Sequence, residues 1–228
     1  ENTGVGYQAG QYAQGSYNVY VGYKAGNGSV LELAGTNTAT GNTAVGNSAL
    51  RSADTADYCA AFGRYANYNN ASGDYTTAIG AYSLYNHTDG NYNTAISSYS
   101  LYGLTTGTEH VAIGMFASYT VTTASYSTAI GYGALQIATG AKNTAIGHSA
   151  GSGITSGQYN VIIGSGTGSS APISATGSGY IVFYDGQANF RAQFDTSGNL
   201  GVGTSGALTA KCFSGARSRG SFYEPGTP

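Results

Sequence analysis

A five-residue phrase, Asn-Thr-Ala-Ile-Gly at 143–147, recurs with small variations from one end of the chain to nearly the other. Its closing position falls at Gly6, Gly22, Gly46, Gly63, Gly80, Ser97, Gly114, Gly131, Gly147 and Gly164, with gaps of 16, 24, 17, 17, 17, 17, 17, 16 and 17 residues. A repeat of this length buries its apolar side chains only against its neighbours, so the period decides the fold before any single residue does.

Each copy is numbered here from its closing position as zero. Position −1 is apolar and β-forming throughout: Val5, Val21, Val45, Phe62, Ile79, Ile96, Ile113, Ile130, Ile146 and Ile163. Large β-branched side chains at a fixed strand position are expected to face the interior, so Val45, Phe62, Ile79, Ile96, Ile113, Ile130, Ile146 and Ile163 are assigned as the core ladder. Position −3, Thr or Val in nine of the ten sites, shares that face because strand side chains alternate with period two. Position −2, usually Ala, then points the other way, towards a close neighbour such as another subunit. On this assignment Ile130→Asp is expected to unfold the array.

The Gly at zero fits a corner that needs positive φ or close backbone approach. A second small-residue corner follows at Gly15, Gly73, Gly90, Gly107, Gly140 and Gly157. Short segments between such corners make one coil, and no window carries an apolar stripe at helical spacing. The expected fold is all-β: a parallel β-solenoid or β-roll of about ten coils of 16–17 residues over 1–168, with an insertion near 27–33. That insertion carries the apolar run Val30, Leu31, Glu32 and Leu33, a lateral contact or a collapsed loop. One coil buries about three apolar side chains at about 2 kcal/mol each, while ordering 17 residues costs about 1–2 kcal/mol apiece. Coils must therefore stack, and so thin a coil is expected to form an obligate homotrimer.

After Gly164 the spacing changes. Residues 169–179 read as a Gly/Ser-rich linker, within a stretch that is either a linker or a loosened last coil. Residues 180–228 read as a β-rich tip or docking segment. Tyr180 to Tyr184 predicts a strand, Asp185-Gly186 a hairpin turn, and Ala188, Phe190, Ala192 and Phe194 the inward side of a second strand. Lys211, Arg217 and Arg219 sit in a tail without period. Glu1 falls inside a repeat with no Met before it, so the chain is read as a mature piece of something longer.

Function classes narrow by composition. Only 8% of residues are charged and the net charge is −2, which gives no electrostatic attraction for nucleic acid or an anionic membrane. No run reaches the ~18 consecutive apolar residues of a spanning helix. Cys59 and Cys212 lie too far apart for a disulfide framework, and Cys59 takes the −4 slot held elsewhere by Asn, as a buried thiol. His87, His110 and His148 show no metal spacing; His110 also takes the −4 slot, where hydrogen bonding suffices. The glycines at 201, 203 and 206 match GxGxxG without a βαβ unit around them. Asp57 and Asp74, both at −6, would stack about 4.8 Å apart, near the ~5–5.5 Å of retaining glycosidases. Solvated carboxylates on a solenoid explain them more simply, and no catalytic, metal or cofactor residue is assigned.

The aromatics carry more. Position +2 holds Tyr65, Tyr82, Tyr99 and Phe116, and position +5 holds Tyr68, Tyr85, Tyr102 and Tyr119, in the same four copies. Position −5 adds Tyr58, Tyr75, Tyr92 and Tyr126. In stacked coils these become ladders, either subunit contacts or a glycan- or receptor-contacting face.

The 143–147 phrase with Tyr132-Gly133-Ala134-Leu135, and the segment DTSGNLGVGT at 195–204, resemble the repeats and distal segments of bacteriophage tail fibres. The array, about three quarters of the chain, also resembles the head repeats of trimeric autotransporter adhesins, which form trimeric left-handed β-rolls. It departs from them in its longer repeat and in showing no membrane anchor of the kind expected of an autotransporter; the self-cleaving chaperone domain that often follows a DTSGNLGVGT-like segment in phage fibres is not seen either. Removal of such a chaperone after assembly accounts for an end near Pro228, and an arbitrary boundary accounts for it equally. The resemblance implies a non-enzymatic virion fibre that attaches to a bacterial surface polysaccharide or protein. Alternatives are a cell-surface adhesin or extracellular filament and, ranked last, an ice-binding protein.

Overall fold

The computed structural model describes residues 1–28, 37–168 and 173–203. Ten three-residue strands recur at the phrase: β1 Thr3–Val5, β2 Val19–Val21, β3 Thr43–Val45, β4 Ala60–Phe62, β5 Thr77–Ile79, β6 Thr94–Ile96, β7 Val111–Ile113, β8 Thr128–Ile130, β9 Thr144–Ile146 and β10 Val161–Ile163. Three more follow: β11 Ile181–Tyr184, β12 Phe190–Phe194 and β13 Leu200–Val202. All thirteen form one sheet in chain order, and the described residues contain no helix. From β1 to β11 every pairing is parallel and in register, so equivalent positions stack into columns. The protein is a β-solenoid.

The inward face is the opposite of the one expected. Ala44, Ala61, Ala78, Ala95, Ala112, Ala129 and Ala145, all at −2, are completely buried, as is Ile162 in the last coil. The −1 column lies on the outer face: Phe62, Ile79, Ile146 and Ile163 are 38–40% exposed, and Val45, Ile96, Ile113 and Ile130 are half-buried. The reason is the width of the coil. Large side chains enter from the wall opposite the sheet, at +4 (Leu50, Leu84, Leu101, Leu135) and +7 (Leu104, Val121, Ile154), and all are buried. Only a methyl group fits beneath them, and a second branched side chain would overpack the layer. The exceptions obey the same volume rule. Where −2 is large, +4 is Gly: Tyr20 lies against Gly10 and Gly26, and Ile162 against Gly151 and Gly168. A Cβ at Gly26 would come within 2.1 Å of the Tyr20 ring.

The backbone reaches this shape through left-handed conformations. The closing residue has φ between 100° and 138° in every coil, Ser97 included, and a Cβ at Gly22 would lie 2.5 Å from the Gly46 carbonyl oxygen. Both conformation and approach favour glycine there, and Ser97 is the one departure. Position +4 is left-handed too (Leu84 50°, Leu101 49°), so the leucines turn inward at some cost in backbone strain. The corner is nevertheless fully bonded: the amides of Leu50, Leu84, Leu101 and Leu135 donate to the +3 carbonyl of the next coil at 2.9–3.0 Å.

A polar spine runs inside. Buried Asn at −4 donates its side-chain amide to a corner carbonyl of the next coil and accepts the next coil's −4 N–H. Asn42 Nδ2 donates to Ala56 O (2.7 Å) while Cys59 N donates to Asn42 Oδ1 (2.7 Å). The pattern repeats for Asn143, with Gly157 O (2.8 Å) and Asn160 N (3.0 Å), and for Asn160, with Gly177 O (2.8 Å) and Tyr180 N (3.0 Å). Each such amide satisfies groups that would otherwise be buried unpaired.

The winding does not stop at Gly164. Ile173 is fully buried, Thr155 N donates to Ala175 O at 2.7 Å, and β11 pairs with β10 through Val161↔Ile181. The described end of the 169–179 stretch thus completes a further, 20-residue turn rather than a free linker. β12 and β13 then continue the sheet antiparallel. Their inward face is again inverted: Gln193, opposite Val182, is buried, whereas Phe194 is 38% exposed. The column set by the −2 alanines dictates which side is inside. The run from Val30 to Leu33 and the residues beyond 203, with Cys212, Lys211, Arg217 and Arg219, lie outside the described residues.

Candidate functional site

Two surfaces stand out: one runs the length of the solenoid, a one-residue strand step from the core, and the other spans the four coils from Gly63 to Tyr119. On the outer sheet face, the −1 and −3 columns form adjacent rows of Val, Ile, Phe and Thr. Ten parallel strands at about 4.8 Å make this a stripe about 50 Å long. It carries no charged side chain.

The second surface is aromatic. The structure brings together all eight residues expected at +2 and +5, each half-buried. Along the +5 column Tyr68, Tyr85, Tyr102 and Tyr119 stack at 5.1, 5.4 and 5.2 Å between centroids, within 13° of parallel. Along the +2 column Tyr82 and Tyr99 stack at 5.2 Å and 3°, and Tyr99 and Phe116 at 5.5 Å and 22°. Rings of one column meet the other edge-on: Tyr65–Tyr68 at 77° and Phe116–Tyr119 at 83°. The two columns form one interlocked lattice. Burial, then the neighbouring phenols of Tyr68 and Tyr102, pushes the Tyr85 hydroxyl pKa up.

This geometry limits the chemistry. Ring faces occupied by neighbouring rings cannot stack on a sugar, so the lattice offers edges and hydroxyls instead. Sequence reasoning missed its two cations. Arg51 lies over Tyr68 at 5.6 Å and donates to its hydroxyl; Arg64 lies 4.8 Å from Tyr65 and 5.9 Å from Tyr82. Arg51 stands at +5, in the column of Tyr68 but one coil earlier, where the aromatic pattern has not yet begun; Arg64 stands at +1, where no column of like residues signals it.

At −5 the exposed rings of Tyr58, Tyr75 and Tyr92 form a second stack, at 5.1 and 5.3 Å. Tyr126 stands apart beyond Glu109, and Lys142 bridges it to Tyr159, 5.7 and 5.3 Å from the two rings.

The carboxylate pair takes a structural role. Asp57 Oδ1 accepts Thr40 N (2.6 Å), and Asp74 Oδ1 accepts Asp57 N (2.8 Å), each tying one coil to the next. Asn91 and Ser125 serve the same position for Asp74 and Thr108. An acceptor is all that the slot requires. Cys59 is buried, receives the Thr76 hydroxyl at 3.1 Å, and has its thiol pKa raised by burial. His110 sits within the polar spine, Nε2 donating to Ala124 O at 2.6 Å. His148 is exposed and stacks on Tyr132 at 5.2 Å. Among the described residues no group of three or more His, Cys, Asp or Glu could hold a metal ion, and no helix is long and apolar enough to cross a membrane.

Compared with family models, with curated proteins and with solved structures, the chain finds no match in any of the three.

Proposed function

We propose that this chain is the shaft of a homotrimeric attachment fibre of the bacteriophage tail-fibre kind, working outside the cell as part of a virion. The observation that carries the reading is the outer sheet face. A column of Val, Ile and Phe side chains, half-buried in five coils and 38–56% exposed in the other five, is surface that water disfavours and a partner would cover. A second and third copy are the partners whose periodicity matches it. Three sheets facing a common axis place the −1 columns in a shared interior and leave the tyrosine lattice facing outward. The antiparallel β12 and β13 close one end of the winding, where a distal tip or docking segment would follow.

The receptor role falls to the outward lattice. Rows of phenol hydroxyls repeating with the coil suit a hydroxyl-rich polymer or a protein on a bacterial surface. Ice binding draws no support from the −2 alanines, which are buried, and the −3 Thr column is broken by Val19, Ala60, Val111 and Val161.

Solution mass tests the assembly: native mass spectrometry should return three times the mass of the 228-residue chain. A folded monomer at micromolar concentration overturns the trimer. Attachment is read separately, by labelled protein binding to a panel of bacterial cells. Tyr85→Ala with Tyr102→Ala should weaken that binding without changing the mass.

A further inference from the structure

Two fully buried histidines interrupt the solenoid core in the coils on either side of the β6 coil. His87 occupies +7, the place of Leu104 and Ile154, and His110 occupies −4, the place of Asn143 and Asn160. Asn93 lies between them. It donates to Gly90 O (3.2 Å) and Gly107 O (2.8 Å), accepts His110 N at Oδ1 (3.0 Å), and turns the same Nδ2 towards His87 Nε2 (3.3 Å).

These contacts fix the tautomers. An amide nitrogen only donates, so His87 Nε2 is the bare acceptor and its proton sits on Nδ1. A carbonyl only accepts, so His110 carries its proton on Nε2, facing Ala124, and its Nδ1 is bare. Neither Nδ1 has a partner. A proton added to His87 would point an N–H at the Asn93 amide donor. Reversing that amide to relieve the clash would aim its oxygen at the Gly90 and Gly107 carbonyls and withdraw the acceptor from His110 N. A proton added to His110 would sit on its buried Nδ1, which has no hydrogen-bond partner in the fold.

We infer that the β5–β7 coils form an acid-labile joint, in which protonation of His87 and His110 breaks the Asn93 bonds that tie three successive coils together. Burial disfavours the His87 cation most; the Gly90 backbone and then Asp89, on its own turn, favour it, and His110 disfavours it, so that burial prevails and holds the pKa down to about 4. At His110 burial again dominates, against the backbone of Ala124 and Ser127, which favours the cation, and no carboxylate opposes it. The folded coils therefore bind fewer protons than the opened ones. Stability is complete above the open-state value and is lost as pH falls from about 6.5 towards 4.

Hydrogen exchange on the full chain tests this. Between pH 7 and pH 5, protection corrected for intrinsic rates should fall about 20-fold at the Thr94 and His110 amides, the displacement that His87 alone provides. At Thr144 and Asn160, in coils without histidine inside, it should fall by less than about threefold. The double variant His87→Leu, His110→Asn uses residues found at the same places in other coils, and should remove the difference. An equal fall in both regions of the native chain overturns the joint, as does a double variant that keeps the difference. Should the variant not fold, the comparison within the native chain still decides.

Discussion

Between β9 and β10 the Asn143 side chain spans two coils, whereas between β11 and β12 the Asp185 carboxylate stays within its own turn. Asp185 Oδ1 accepts the amides of Gln187 and Asn189 at 2.9 Å, and Oδ2 accepts Asn189 Nδ2 and the Arg191 guanidinium. Asp195 repeats the motif one turn later, with Ser197 N, Asn199 N and Asn199 Nδ2, each at 2.9 Å. The sheet and its inner column are common to both regions. What differs is where the polar bonds go: buried and between neighbours in the coils, exposed and local in the antiparallel segment. Order in the coils depends on stacking; each distal turn supplies its own.

The largest effect should come from breaking the inner column. Ala112→Asp puts an unpaired carboxylate where the side chain is fully buried, at a cost of about 3–5 kcal/mol, and thermal melting should show loss of the array. Ile130→Asp, one residue along the strand from Ala129, should leave the coil folded and reduce the assembled mass instead. Unfolding by Ile130→Asp with retention of fold by Ala112→Asp would reverse the assignment of faces. Next in size, Asn143→Ala removes the donor to Gly140 O and Gly157 O and the acceptor of Asn160 N. We expect a loss of about 2–4 kcal/mol in denaturant melts, against about 1 kcal/mol for Asn189→Ala in the exposed turn.

Acid should separate the two regions by pH. Hydrogen bonds from the Asn189 side chain and backbone, then Arg191, hold the Asp185 carboxyl well below the usual carboxylate range, and Asn199 does the same for Asp195. A depressed carboxylate stabilises above its open-state value near 4 and loses that contribution as pH falls further. The distal turns should thus persist at pH 5, where the β5–β7 coils have loosened; carboxyl chemical shifts followed by NMR check it. The smallest effect is a gain: Ser97→Gly relieves the side chain at φ 100° and should add about 1 kcal/mol of stability.

Much of this fold was legible in the period. Every coil strand lies at the phrase and ends one residue before the closing position, because apolar β-formers beside a left-handed corner have few alternatives. The inward side was not, since alternation gives two faces and large Ile against small Ala suggests the wrong one. The right signal was available in the pairing of Tyr20 with Gly26 and of Ile162 with Gly151, against Ala with Leu in four of the six coils between (Leu50, Leu84, Leu101, Leu135) and with Asn67 and Ser118 in the other two. Volume trades across a core only between residues that share it. The leucines at +4 were invisible because a left-handed leucine contradicts its own propensity and is held there by inter-coil bonds. The aromatic columns were legible as columns, but their face-to-face stacking, which decides what they can touch, depends on side-chain angles that spacing does not fix.

Every coil meets only the one before and the one after, so a pull on the two ends is transmitted through each junction in turn, with the full load on all of them. The rod cannot share force among its turns; it parts wherever one junction yields first. A shaft of this kind is only as strong as its least well-joined pair of turns.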